Sequence, residues 1–290
     1  MKILLNIVHF QSKKSHFLND LLNEYNNFDF KVDIFIHTNK KSIKNLNLDF
    51  YNNGKVKIKR HYLIPKFLLY RNKNYYLTWT PRKLIKKNIE KYDIFIYSED
   101  DILIPKKAFK YWVDTKDELY SLGYLPGFVR IEFNKNNEEI AVDFKNKKLI
   151  QKIQINDKHY LINDNNRYMA SWIYDKNMIN DWIESGFFDI RKITTKKNMK
   201  SNLLDKFKIN NLTIRYLVYN LKNKNGFGIR ENSAFGMNSL SVNIINGLLF
   251  KLEDKLFSDD NKIYHLPNSY SDTNHPDGIG TIKLNDVLEK

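Results

Sequence analysis

The chain has 290 residues, a formal net charge of +15, 42% hydrophobic and 14% aromatic residues, and no cysteine. That apolar content supports a packed core, and the absence of cysteine excludes a disulfide framework, thiolate catalysis and a zinc–cysteine site. No apolar run is long enough to span a bilayer, and Met1–Phe10 suits a first strand better than a signal peptide, so a soluble cytoplasmic protein is expected.

The lysines are spread along the chain beside many asparagines, isoleucines and tyrosines. No helix-turn-helix, zinc-finger or RNA-binding signature accompanies them, so nucleic acid is not the expected partner. A basic surface equally suits sugar nucleotides, phosphorylated acceptors or peripheral contact with an anionic membrane.

The chain opens with a buried-strand pattern at Lys2–Val8, followed by His9-Phe10-Gln11. Phe17, Leu18, Leu21, Leu22 and Tyr25 recur at helical spacing after Ser12 or Ser15 as N-cap, and Val32–His37 is the next strand. This β-α-β start predicts a parallel sheet with a right-handed crossover. Asn39–Asn53 reads as a polar helix and loop, and Lys55–Leu63 as a half-exposed strand. Thr80 is the expected N-cap and Pro81 the first residue of a helix that buries Leu84, Ile85, Ile89 and Tyr92.

Ile94–Tyr97 reads as a central strand buried on both faces, and it runs straight into Glu99-Asp100-Asp101. In open α/β sheets, ligands bind at the carboxyl ends of such strands. Three neighbouring carboxylates repel one another unless a cation offsets the charge, and hard oxygen ligands suit Mg²⁺ or Mn²⁺. The plainer alternative is a solvated acidic loop before the next helix.

That helix is expected to open at Pro105 and to bury Ala108, Phe109, Trp112 and Val113. Leu125–Phe133 alternates as one strand, with Phe128, Arg130 and Glu132 on one face. Arg130 and Glu132 would pair with each other or contact a polar acceptor. Asn134–Asn166 reads as an excursion with strand-like pieces at Leu149–Ile155 and His159–Ile162, and Trp172 either stacks on a sugar or belongs to the core. Asp175 caps a helix that buries Met178, Ile179, Trp182 and Ile183 and stops at Gly186. Lys192–Asn211 is a candidate mobile loop, Val242–Phe250 a strand, and 271–290 a surface tail.

The apolar strand ending in Glu99-Asp100-Asp101 resembles the DxD-type motif of GT-A-fold, nucleotide-sugar-dependent glycosyltransferases. Two later stretches are similar to elements of that family: Gly228-Ile229-Arg230-Glu231, and His265 with Ile263 and Tyr264 before it and Pro267 after. The resemblance implies one α/β domain over 1–290 with a mostly parallel central sheet flanked by helices. Its half at about 1–105 would bind nucleotide and metal, and its half at about 106–270 the acceptor.

It implies that Asp101 and Glu99 with His265 hold Mn²⁺ or Mg²⁺, with His275 as the rival histidine. Glu99 and Asp100, with His9 and Gln11 after the first strand, would line the nucleotide-sugar site. Arg82 would reach a phosphate or base, although a solvated arginine is the plainer reading. Glu231 would be the general base with Arg230 beside it, unless it is an ordinary helix-start glutamate. Arg130, Glu132 and Trp172 would face a glycan, lipid-linked or protein acceptor. The implied reaction is transfer of a sugar to an acceptor hydroxyl in glycan biosynthesis. The rivals are a metal-dependent phosphodiesterase or nuclease, and a non-enzymatic basic module binding nucleic acid or an anionic surface.

Overall fold

The computed structural model describes residues 1–10, 15–39, 43–61, 75–144, 149, 151–164, 166–189, 233–239, 242–254, 256–271 and 281–288. Gln11, Ser12, the segment 192–211, Arg230, Glu231 and His275 lie outside them. The elements begin β1 Lys2–His9, α1 Ser15–Asn26, β2 Lys31–Thr38, β3 Val56–Arg60, α2 Pro81–Asn88, β4 Ile94–Glu99, β5 Ile102–Leu103 and α3 Lys106–Ser121. They continue with β6 Tyr124–Pro126, β7 Val129–Phe133, β8 Glu139–Val142, β9 Lys152–Ile155, β10 Lys158–Asn163, β11 Ser171–Asp175 and α4 Lys176–Glu184. The last strands are β12 Gly247–Glu253, β13 Leu256–Phe257, β14 Lys262–His265 and β15 Thr281–Lys283.

The fold is α/β, in two compact units. The first unit comprises Met1–Ser15, Asp29–Asp100 and Ala170–Met237. The second comprises His16–Phe28, Asp101–Met169 and Asn238–Lys290.

The first unit is built on one five-stranded sheet of order β11-β4-β1-β2-β3. Strands β4, β1, β2 and β3 are parallel, as the β-α-β pattern predicts. Every residue of β4, and all but the first of β1 and β2, is buried, which is why these strands are near-continuous apolar runs. The edge strand β3 alternates half-buried and exposed residues. Antiparallel β11 pairs with β4, Trp172 opposite Tyr97. Its mixed polar and aromatic sequence hides a strand. Residues 43–53, expected to hold a helix, form turns.

Thr80 is not a capping residue. It has helical φ and ψ and makes no side-chain cap, because its Oγ1 donates backwards to the Leu77 carbonyl of a preceding 3₁₀ turn, Tyr75–Trp79. Asp175 does cap α4, accepting from the Met178 amide at 2.9 Å. Gly186, at φ +76°, follows the end of that helix as expected.

An aromatic layer lies over this helix. Trp172 is buried, stacked near-parallel to Tyr97 and Tyr174 and edge-on to Trp182. Those neighbours leave its ring no open face for a sugar, so Trp172 is a core residue. Burying a large side chain of this kind contributes about 1.5–3 kcal/mol. Gly236, at φ +55°, abuts the same layer: a Cβ there would meet Tyr174 Oη at 2.7 Å and Trp172 Cδ1 at 2.8 Å.

The second unit holds two five-stranded sheets. In one the order is β13-β12-β10-β9 with β6 also on β12; in the other it is β15-β8-β7-β14-β5. Hairpin β9–β10 turns through Asn156 at φ +51°, and β10 continues onto β12. The single strand expected over Leu125–Phe133 is two, because the chain crosses between sheets at Gly127-Phe128. A Cβ on Gly127 would lie 2.6 Å from the Phe250 ring of β12. Helix α3 buries Ala108, Phe109, Tyr111, Trp112, Thr115 and Leu119, leaving Val113 half-buried. Pro105 is its extended N-cap rather than its first helical residue. Helix α1 buries Leu18, Leu21, Leu22 and Tyr25, and Phe28 beyond it stacks on Phe109 at 5.0 Å.

Candidate active site

The first sheet changes direction of winding between β1 and β4: successive parallel strands go one way to β2 and β3, then return to β4 on the other side of β1. Ligands in open α/β sheets bind beyond the carboxyl ends of the strands at such a switch point. His9 ends β1, Glu99 ends β4 opposite Val8, and Asp100 follows. All three side chains are buried, at 0%, 4% and 4% exposure. An ionised carboxylate accepts hydrogen bonds only. His9 therefore donates from Nδ1 to Asp100 Oδ2 at 2.5 Å, and its Nε2 is buried without a hydrogen-bond partner.

A second histidine cluster, which the sequence reading missed, sits at the ends of β2 and β3. His37 Nε2 donates to Asn6 Oδ1 at 3.0 Å, which leaves Nδ1 to accept from His61 Nε2 at 3.0 Å. Burial, reinforced by His61 and Lys59, lowers the His37 pKa to about 3, so this imidazole is neutral.

In the second unit, Asp101 and His265 come together. Strand β14 runs antiparallel to β5, with His265 opposite Ile102, and the Leu266 amide donates to the Asp101 carbonyl at 2.9 Å. His265 Nε2 lies 3.6 Å from Asp101 Oδ2. Its Nδ1 donates to Glu132 Oε1, and Glu132 Oε2 accepts from the Tyr270 and Ser271 amides at 2.7 and 2.6 Å. Burial disfavours a proton on His265, but Asp101 and Glu132 outweigh it and the pKa is raised.

Arg130 and Glu132 each have a partner of their own. Arg130 Nη2 donates to Asp143 Oδ1 at 2.9 Å, and its guanidinium sits 5.4 and 5.6 Å from the rings of Tyr168 and Tyr270. Burial raises the Asp143 pKa even though Arg130 opposes the shift. The Tyr270 ring in turn stacks on His265 at 5.0 Å. Glu132 therefore orients a histidine, and Asp143, at φ +78°, is the acid that Arg130 uses. The Arg130–Asp143 pairing joins residues 13 positions apart and the Glu132–His265 pairing residues 133 apart.

Arg82 is neither solvated nor open to a ligand. It is buried against the rings of Trp79, Trp182 and Phe188 and donates to Ser233 Oγ at 2.6 Å. Burial lowers its pKa to about 9. Its guanidinium ties α2 to Ser233 and to the aromatic layer within the first unit.

The Asp101–His265 pair fits a divalent cation. With Nδ1–H held by Glu132, His265 would bind a cation through Nε2 by giving up the proton that Asp101 favours there, with Glu132 as the carboxylate behind the histidine. Among the described residues no group of three or more His, Asp or Glu side chains gathers around one point, so the three-ligand set of Asp101, Glu99 and His265 is not assembled. Two protein ligands suffice for Mg²⁺ or Mn²⁺, which take further oxygens from water and diphosphate.

No family model and no curated protein matches this sequence. Among solved structures, the chain is similar to S. aureus TarS 1–349, at 14% identity over 62% of this chain and 49% of that one, with a TM-score of 0.35. The complex of the same protein with UDP-GlcNAc gives 16% identity, 62% and 47% coverage, and a TM-score of 0.37. Its complex with UDP gives 14%, 62%, 48% and 0.36. The matched part spans about half the length of those chains. A partial overlap at this level settles neither family nor substrate. Among the described residues no helix is long and apolar enough to cross a membrane.

Proposed function

We propose that this protein is a cation-dependent glycosyltransferase that moves a sugar from a nucleoside-diphosphate sugar to an acceptor hydroxyl. The supporting observation is the buried Asp101–His265 pair with Glu132 behind it, immediately after a parallel strand that ends in Glu99. Asp101 and His265 would hold the cation, and Glu132 keeps the imidazole in the tautomer that leaves Nε2 free to bind. A divalent cation held there would supply positive charge against the negative charge that builds on the departing diphosphate. Glu99 stands at the switch point where a nucleotide would sit, and Asp100, held by His9, would brace that strand end. Glu231 is our proposed base for the acceptor hydroxyl, in a direct displacement that inverts the anomeric centre, with Arg230 beside it.

Thermal unfolding tests this reading. The protein is melted with UDP-GlcNAc, UDP and a panel of other nucleotide sugars and nucleoside diphosphates, each with and without Mn²⁺. A ligand that binds only the folded state raises the midpoint by mass action. One nucleotide should raise it, and only with the cation present. No shift with any nucleotide, together with a large one from oligonucleotides, would overturn the proposal in favour of a nuclease or nucleic-acid module.

A further inference from the structure

Strand β14 stops at His265, while β7, paired to it with Ile131 opposite Tyr264, runs on to Phe133. Pro267 has no amide hydrogen to donate, so the ladder cannot continue through it. Side chains take its place. Asn268 Oδ1 accepts from the Phe133 amide at 2.9 Å, and the Ser271 hydroxyl donates to the Phe133 carbonyl at 3.0 Å. The Asn268 amide donates back to the His265 carbonyl at 3.2 Å, which closes the turn. Asn268 stands at φ +47°, in the left-handed region that asparagine tolerates better than most residues.

That turn grips His265 on two sides. Glu132 Oε2 accepts from the Tyr270 and Ser271 amides while Oε1 takes the His265 Nδ1 proton, so the carboxylate that orients the ring is itself held by the turn. The Tyr270 ring lies over the face of the same imidazole, with centroids 5.0 Å apart and planes 17° apart. A carboxylate that accepts three hydrogen bonds has little freedom to swing. Displacing the turn would release Glu132, and releasing Glu132 would let the His265 ring rotate away from Asp101. Asn268 is itself exposed and its side chain bonds to Phe133, so its effect on the ring passes through the turn.

From this arrangement we infer that Asn268 is a positioning residue for the cation site: it fixes the turn 266–271 and, through Glu132 and Tyr270, the His265 ring with Nε2 towards Asp101. The inference rests on the cation site proposed above and adds to it a residue outside the Asp101–His265–Glu132 set. Two properties of Asn268 matter. Its φ shapes the turn, and its Oδ1 takes the Phe133 amide. Aspartate supplies both, glycine only the first, and alanine neither.

The test is a Mn²⁺ titration of the 290-residue protein, followed by calorimetry and by loss of the free-ion electron paramagnetic resonance signal. The unaltered protein should bind the ion saturably. Asn268→Ala should weaken that binding about tenfold, the lower end of what losing the support behind a metal ligand costs. Asn268→Gly should weaken it by a smaller factor, and Asn268→Asp should bring it back to within about twofold of the unaltered protein. Asn156→Ala is the comparator: Asn156 also has a positive φ, +51°, in the β9–β10 turn, so it shares the backbone strain but not the connection to His265. That variant should leave Mn²⁺ affinity unchanged, and melting curves set the stability losses of the two alanine variants side by side. Full affinity in Asn268→Ala, or an equal loss in Asn156→Ala, would overturn the inference while the cation site stands. Failure of Asn268→Asp to restore binding would do the same. Absence of saturable Mn²⁺ binding in the unaltered protein would overturn the cation site itself, and this inference with it.

Discussion

Asp100 and Asp101 are neighbours in the chain, and each faces a histidine, yet the two pairs are built differently. Asp100 takes the Nδ1 proton of His9, and the far nitrogen of that ring ends in the core. In the other pair the ring is reversed: Glu132 takes the Nδ1 proton of His265, and the far nitrogen points at Asp101. The first arrangement satisfies a carboxylate and locks the end of β1 to the end of β4. The second leaves a nitrogen and a carboxylate side by side, with a third group bracing them. Both rings engage a carboxylate through Nδ1, so the pairs differ in what the far nitrogen meets, and a sequence does not record that.

The sharpest way to break this contrast is to neutralise each acid in turn. Asp101→Asn should cost 100-fold or more in turnover, on the order of what losing a principal electrostatic contact in a transition state costs, with the melting midpoint little changed. Kinetic assay with the donor found by the melting panel checks it. Glu132→Gln should rank next: loss of a residue behind a metal ligand weakens the metal by about 10–100-fold, readable in a Mn²⁺ titration. Asp100→Ala should act on stability instead, destabilising by about 1–3 kcal/mol in denaturant because His9 Nδ1 loses its acceptor in the core. If Asp100→Ala removed turnover from a stable protein while Asp101→Asn did not, the two roles would be exchanged.

The smallest effect is in the pH dependence, where His37 and His265 oppose each other. His37 has a folded pKa of about 3 against an ordinary 6.5. Only the unfolded chain takes up its proton between those values, so folding stability falls as pH drops below 6.5. The slope is about 1.4 kcal/mol per pH unit at most. His265 has its pKa raised. Its contribution is fully present below the unfolded value and is lost as pH rises through the folded one. Melting between pH 5 and 8.5 should show His37→Asn flattening the acid limb and His265→Asn the alkaline limb; identical profiles in both variants would contradict the assignment.

The parallel strands were legible because burial on both faces writes an unbroken apolar run, as at Ile94–Tyr97. The capped helix α4 was legible because Asp175 and Gly186 act locally. Thr80 misled because a preceding 3₁₀ turn claimed its hydroxyl, and β11 because Trp172 and Tyr174 belong to an aromatic layer assembled from distant segments. The candidate site was half legible. Its acidic cluster and His265 stand out in the chain, but Glu132 and His265 are 133 positions apart and meet only once β7 and β14 pair. Arg82 was misplaced because no local pattern reveals that three aromatic rings converge on it.

The strand order also sets a schedule for synthesis. β4 is buried along its length and apolar from Ile94 to Tyr97, and its outer edge is closed only when Ser98 pairs with Ser171, Tyr97 with Trp172 and Ile96 with Ile173. On a ribosome adding about 5–20 residues per second, the intervening chain takes on the order of ten seconds to emerge. Throughout that interval a hydrophobic strand edge is open to pairing with any other chain nearby. Early in translation the chain is accordingly exposed to edge-to-edge association, and faster production should move it from the soluble fraction into aggregates.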